Sequence, residues 1–141
     1  MEGFRFTYSA PLRFSDLDVL GHANHLSYLD ILENARIAYY FDVMGLRSVQ
    51  EIKFVLAELH IRYFASALLG QTLQVGFRTA WLKRSSSGFV YEIRDRESGQ
   101  LLAEGEGVQV HMDLRANQSE PLPRAYRERV TAFEGSDLKA T

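Results

Sequence analysis

Apolar and polar residues alternate from the start of the chain. Phe4, Phe6 and Tyr8 alternate with polar neighbours, and Leu12 and Phe14 resume the pattern after Pro11. This period of two predicts a strand over "FRFTYSAPLRF", with Pro11 marking an edge or a bulge. A polar loop, "SDLDVLGH", follows. From about Asn24 to Met44 the period changes, and Leu26, Leu29, Leu32, Ala35 and Tyr39 recur at the three-or-four spacing of one helix face. Ile31, Ile37, Ala38, Tyr40 and Phe41 make the other faces apolar too. A helix apolar on most sides is buried, by a sheet wrapped round it or by a partner chain. Glu33 and Arg36 lie three apart and can pair, and Gly45 is a plausible stop.

The rest of the chain returns to strand patterns. "KFVLAELHIRYFASALL" is read as one strand, with Val55, Ala57, Leu59, Ile61 and Tyr63 on one face and Leu56, Glu58, His60 and Arg62 on the other. "GQTLQVGFRTAWL" is the next. Two more strands flank a turn at "ESGQ", marked by alternating Phe89, Tyr91 and Ile93 and by Val108 and Val110. The tail "PRAYRERVTAFEG" predicts a short, exposed helix. Strand, long buried helix, then a run of strands points to an α+β domain with an antiparallel sheet packed on one main helix.

Composition narrows the function. The chain has 141 residues, of which 46% are apolar and 24% charged, as in an ordinary globular domain with a real core. A net charge of −2 argues against a nucleic-acid binder that relies on a broad basic surface. With no cysteine, disulfides, thiolate metal sites and thiol nucleophiles are excluded. The N-terminus lacks the layout of a signal peptide and no apolar run is long enough to span a membrane, so a cytoplasmic location is expected.

The candidate chemistry crowds into "RFSDLDVLGHANHLSYLDILENAR". Asp16 and Asp18 either cap a turn or act as a base or nucleophile; a carboxylate ahead of a helix sits in the positive potential of its N-terminus. The first amides of that helix have no intrahelical acceptor. They either bond a capping side chain such as Asn24 or Ser27, or point at a substrate carbonyl. Gly21 lets the loop backbone approach a ligand. His22 and His25 have metal-ligand chemistry but no obvious third partner, so no metal is expected. His60 and His111 fall in strands and are read as surface or interface residues. "WLKRSSSGF" offers Lys83 and Arg84 beside hydroxyls, either as a solvated turn or as a small anion site. Serine-hydrolase, P-loop and dinucleotide motifs are absent.

The same stretch resembles the signature of hot-dog-fold acyl-CoA thioesterases of the 4-hydroxybenzoyl-CoA thioesterase type. The matching residues are Asp16, Asp18, Gly21, His22, Asn24, Tyr28, Glu33, Ala35 and Arg36. The similarity runs more loosely to about Asp113. It implies a single hot-dog domain over 1–141, an antiparallel sheet wrapped around the long helix, and a homodimer assembling to a homotetramer with active sites at the dimer interface. It further implies Asp18 as the catalytic carboxylate, as nucleophile or general base, and the helix-start amide at His25 as the group that polarises the thioester carbonyl. Gly21, His22, Asn24, Tyr28 and Glu58 would shape the substrate site. Lys83, Arg84 and Ser85 would contact the phosphates and nucleotide of coenzyme A, which favours the anion-site reading of that turn. No cofactor is implied, since coenzyme A is part of the substrate. "GHANHLSY" is similar to relatives acting on aliphatic acyl groups. The plant acyl-carrier-protein thioesterase pattern Asp-x-Asn-x-His is only half matched, with Leu20 in place of the asparagine and His22 at the histidine. An acyl-carrier-protein substrate, a non-catalytic acyl-CoA binding module and a dehydratase are the alternatives.

Overall fold

The computed structural model describes residues 1–139; residues 140 and 141, part of the expected 1–141 domain, lie outside the described residues. The elements are β1 (Phe6–Pro11), α1 (His25–Asp42), β2 (Phe54–Tyr63), β3 (Thr72–Leu82), β4 (Ser86–Asp95), β5 (Leu101–Asp113), a short β6 (Gln118–Ser119) and α2 (Arg124–Glu134). The main sheet has the order β1-β3-β4-β5-β2, with every neighbouring pair antiparallel and β6 on the end of β5. It curls around α1 as a hot-dog fold, the arrangement expected from the apolar helix and the family resemblance. β1, which ends at Pro11, is one edge, and β2 is the other.

The inner faces of the strands form the core. Leu73, Val75 and Phe77 of β3 and Phe89, Tyr91 and Ile93 of β4 are all buried, as their alternation requires. Phe6, Tyr39, Phe77 and Phe89 run ring to ring across β1, α1, β3 and β4, with centroids 5.0–5.4 Å apart. Helix α1 buries Tyr28, Ile31, Leu32, Ala35, Arg36, Tyr39 and Tyr40 but leaves Leu26 62% exposed beside Asp30, Glu33 and Asn34. One side of the helix is therefore open in the protomer. Gly45, just past α1, has φ +70°, as a stop residue should.

Four expectations are corrected. The predicted strand from Lys53 to Leu69 ends at Tyr63, and Phe64–Leu69 forms a connector instead. Within β2 a bulge between Leu56 and Glu58 changes the alternation. Leu56 opposes the buried Gln109, and Leu59 and Ile61 oppose Gly107 and Gly105, so Leu56 shares the inner face with them while Val55 faces outward. A bulge adds one residue and reverses the parity of all that follow.

Helix α2 is not simply exposed. Tyr126, Val130 and Glu134, spaced by four, are buried. Glu134 hides its polarity by accepting from the Tyr39 hydroxyl (2.5 Å) and the Thr79 amide (2.9 Å), the latter lying at a β3 bulge between Thr79 and Trp81. His111 is buried, only 6% exposed, against the Phe54 ring (5.1 Å), because β6 and Glu120 fold over the end of β5. His60, by contrast, is exposed as expected.

Candidate active site at the start of α1

The two aspartates have different partners. Asp16 is tied to Arg13, with its carboxylate accepting from the Arg13 amide (2.8 Å) and guanidinium (3.0 and 3.3 Å). The hydrogen bond from Arg13 holds its carboxyl below the usual carboxylate range. The Asp16 carbonyl accepts from the Asn24 amide (3.0 Å) and the Ser27 hydroxyl (2.8 Å), so this residue anchors the loop to the helix.

Asp18 stands apart from these contacts and is exposed. Its Oδ1 accepts from the amides of Leu20 (2.8 Å) and His22 (3.2 Å), while Oδ2 has no hydrogen-bond partner among the described residues. The Asp18 amide donates to the His22 carbonyl (2.7 Å) and the Gly21 amide to the Asp18 carbonyl (3.1 Å), closing a tight turn. Gly21 takes φ +78° in that turn, a conformation that a side chain resists. One carboxylate oxygen is thus fixed by the backbone and the other is available.

Asn24 is the N-cap. Its side chain accepts from the Ser27 amide (3.0 Å). This resolves the capping question in part: the cap takes the third amide of the helix, and the amides of His25 and Leu26 keep no intrahelical acceptor. Tyr28, one turn on, is buried. Its hydroxyl accepts from the Ala67 amide (3.0 Å) and donates to the Ala65 carbonyl (3.4 Å), fixing the β2–β3 connector against the helix. Burial raises its hydroxyl above the ordinary tyrosine value. Backbone pairing of His22 with Leu68, and the Ala23 amide on the Ala67 carbonyl (2.9 Å), fasten the other side of the connector.

A cleft of 390 Å³ opens at this point, lined by His25 and Tyr28 of α1, Tyr63 of β2 and the connector residues Phe64, Ala65 and Ser66. His25 and Tyr28 therefore line the cleft. Asp18, Gly21, His22 and Asn24 form the loop leading into it. Tyr63 and Phe64 were not singled out from sequence; the apolar run continuing past the end of the strand was their only signal. Among the described residues no group of three or more His, Asp or Glu is placed to hold a metal ion.

Two candidates lie elsewhere in the protomer. Glu58 is exposed on the outer face of β2, opposite Val108, and lines neither this cleft nor the groove between α1 and β2. Lys83, Arg84 and Ser85 form the β3–β4 turn, with Lys83 over the Trp81 ring (5.0 Å) and the Arg84 carbonyl bonded by the Leu122 amide (2.8 Å). β3 starts beside the loop that carries Asp18, where the Leu12 amide meets the Gln71 carbonyl (3.0 Å), and runs 11 residues away from it. At about 3.3 Å per residue the turn lies roughly 33 Å along the strand from the loop.

The chain matches the thioesterase-like superfamily over residues 12–130. It is similar to a thioesterase from Thermus thermophilus, crystallised with coenzyme A and Zn, at 38% identity, covering 98% of this chain and 100% of that one, with a TM-score of 0.87. A 1,4-dihydroxy-2-naphthoyl-CoA thioesterase from Synechocystis shares 27% identity over 95% of this chain and 98% of that one, with a TM-score of 0.79. An L-carnitine dehydrogenase/betainyl-CoA thioesterase of Rhizobium meliloti (strain 1021) is 28% identical over 125 residues, 82% of this chain; the chain spans only 25% of the length of that curated relative. With the family model matched over most of its length and the curled sheet shared with these structures, the chain belongs to the thioesterase-like superfamily.

Proposed function

We propose that the protein is a thioesterase that hydrolyses acyl-CoA to a carboxylic acid and coenzyme A. The observation that carries this reading is the start of α1: Asn24 caps only the Ser27 amide, the His25 and Leu26 amides remain unbonded within the helix, and Asp18 stands in the adjoining turn with Oδ2 free. The His25 amide would donate to the thioester oxygen and stabilise the oxyanion; loss of one such donor in a hydrolase costs about 2.7–4 kcal/mol. Asp18 would take a proton from water as that water attacks the carbonyl carbon, or would attack directly and form an anhydride that water then opens. In either route the C–S bond breaks and coenzyme A leaves as thiolate, which needs little acid assistance. Coenzyme A bound to the Thermus relative supports this substrate class.

Assembly completes the site in this proposal. β2 is a long edge strand with its outer hydrogen-bonding side free, and Val55, Leu56 and Tyr63 are exposed along it, with Phe64 exposed just past its end. A free apolar edge is a template for pairing. Two-fold antiparallel pairing of β2 with its copy would bring opposite sheet ends together, carrying the partner's Lys83, Arg84 and Ser85 toward Asp18 to receive the coenzyme A phosphates. The separation of these groups within one chain then has a functional reason. Dimers would pair again into tetramers. No helix among the described residues is long and apolar enough to cross a membrane.

Assays of wild type and Asp18→Asn on short, long and aromatic acyl-CoAs test the proposal. The expected loss in kcat is about 100-fold or more, the usual worth of a positioned acid–base group. Full activity in Asp18→Asn, or no hydrolysis of any acyl-CoA by wild type, would overturn it. Binding without turnover would favour the acyl-CoA binding module, and turnover of acyl-carrier-protein thioesters alone would favour that carrier.

A further inference from the structure

The side of α1 that faces β2 carries a second feature below the cleft. Helix α1 packs closest to β1 and β3, leaving a seam on the β2 side. His25, Leu29, Leu32 and Arg36 follow one another at three- and four-residue steps along this side of the helix. β2 runs past them, with Tyr63 against Tyr28 at the upper end (ring centroids 5.3 Å) and Leu59 and Leu56 lower down. Between these elements lies a cavity of 140 Å³, lined by Leu29, Leu32, Leu56, Leu59 and Phe89, with Arg36 and Glu33 at its end. Gly107 makes room for the Phe89 ring, since a Cβ there would fall 2.3 Å from it.

The far end is polar, with Arg36 buried and its partner Glu33 half-exposed. Arg36 is 7% exposed, and its guanidinium donates to both Glu33 carboxylate oxygens (2.9 and 3.1 Å) and to Gln109 Oε1 (3.2 Å). Gln109 is in turn held by the Tyr40 hydroxyl (2.5 Å). Beyond it, Tyr40 stacks on Phe54 (5.5 Å), blocking further passage. Pushing apolar chain into such a pair would strip a buried charge of its partner, which is strongly unfavourable.

We propose that this seam is the acyl-chain groove and that the Arg36–Glu33–Gln109 cluster is its end stop, so the substrates are acyl-CoAs with unbranched, methyl-ended chains of medium length. This inference rests on the thioesterase reading above. With the thioester carbonyl at the His25 amide, the helix rise of about 1.5 Å per residue puts the cavity roughly 10 Å away and Arg36 roughly 16 Å away. A staggered chain of about 1.5 Å bonds advances roughly 1.3 Å per carbon. The terminal methyl of a chain of about eight to twelve carbons then lies in the cavity, and a longer chain meets the ion pair.

The test is kcat/KM across butyryl-, octanoyl-, decanoyl-, lauroyl-, palmitoyl- and benzoyl-CoA for the full-length protein and two variants. Wild type should peak between octanoyl and lauroyl and fall at least about tenfold by palmitoyl, a difference of about 1.4 kcal/mol. Leu59→Trp fills the cavity and should lower the decanoyl-to-butyryl ratio about tenfold or more. Arg36→Met, which keeps the length of the side chain but removes the charge, should raise the palmitoyl-to-decanoyl ratio. A wild-type optimum at butyryl or benzoyl, or a decanoyl-to-butyryl ratio unmoved by Leu59→Trp, overturns the groove while leaving the thioesterase reading intact. No hydrolysis of any member overturns both.

Discussion

Glu134 provides a sharp test of how the fold is fastened. It is fully buried at the end of α2, and its Oε2 accepts from the Tyr39 hydroxyl (2.5 Å) and the Thr79 amide (2.9 Å), while Oε1 is buried with no hydrogen-bond partner among the described residues. In Glu134→Ala the Tyr39 hydroxyl keeps Thr79 Oγ1 (2.9 Å), but the Thr79 amide at the bulge loses its acceptor. An orphaned buried amide costs about 1–3 kcal/mol. At about 3–4 °C per kcal/mol for a domain of this size, Tm should fall by about 3–12 °C. Glu134→Gln keeps an acceptor at the same place and removes the titration. Burial raises the Glu134 carboxyl above its ordinary value of 4.5 in the folded state. A raised folded value means that its contribution is present in full below the unfolded value and is lost as pH rises through the folded one. The Tm of wild type relative to Glu134→Gln should therefore decline from about pH 4 toward neutrality, followed by circular dichroism melts across that range. A difference that is constant or rises with pH would refute the buried, proton-linked role. A Glu134→Ala protein melting within about 1 °C of wild type would refute the amide argument.

Three other outcomes follow from the geometry. Tyr28→Phe strands the buried Ala67 amide and should cost about 1–3 kcal/mol in thermal melts, with a raised KM because the connector lining the cleft loosens. Asn24→Ala removes the cap on the Ser27 amide and should cost about 1 kcal/mol in the same assay. His111 is pushed by burial below its ordinary value of 6.5, so its neutral form contributes stability above that pH which is lost as pH falls through the lowered folded value. The Tm advantage of wild type over His111→Gln should shrink on acidification below about pH 6.5, and an advantage that grows instead would show that Glu120 dominates.

Much of the candidate site's layout was legible in the sequence because it is local. Asp18, Gly21, Asn24, His25 and Tyr28 lie within eleven consecutive positions, and a turn followed by a helix start fixes their relations through short-range backbone geometry. The cleft's far wall was not legible. Tyr63 and Phe64 reach it because Tyr28 bonds the connector that follows β2, a contact between residues nearly forty positions apart. Leu56 shows the same limit from the other side: a single bulge turned it to the face of Leu59 and Ile61, and strict alternation has no way to signal one.

The sequence by itself determined the element types, the buried central helix and the Asp18 turn, since periodicity, capping and φ preferences act over a few residues. Only the tertiary structure decided that Glu134 and His111 are buried, that Arg36 is buried against Glu33 and Gln109, and that the Lys83–Ser85 turn lies at the opposite end of the sheet from Asp18. Those facts depend on strand register and on which distant groups meet, and a polar residue satisfied across the core looks, in sequence, the same as one facing water.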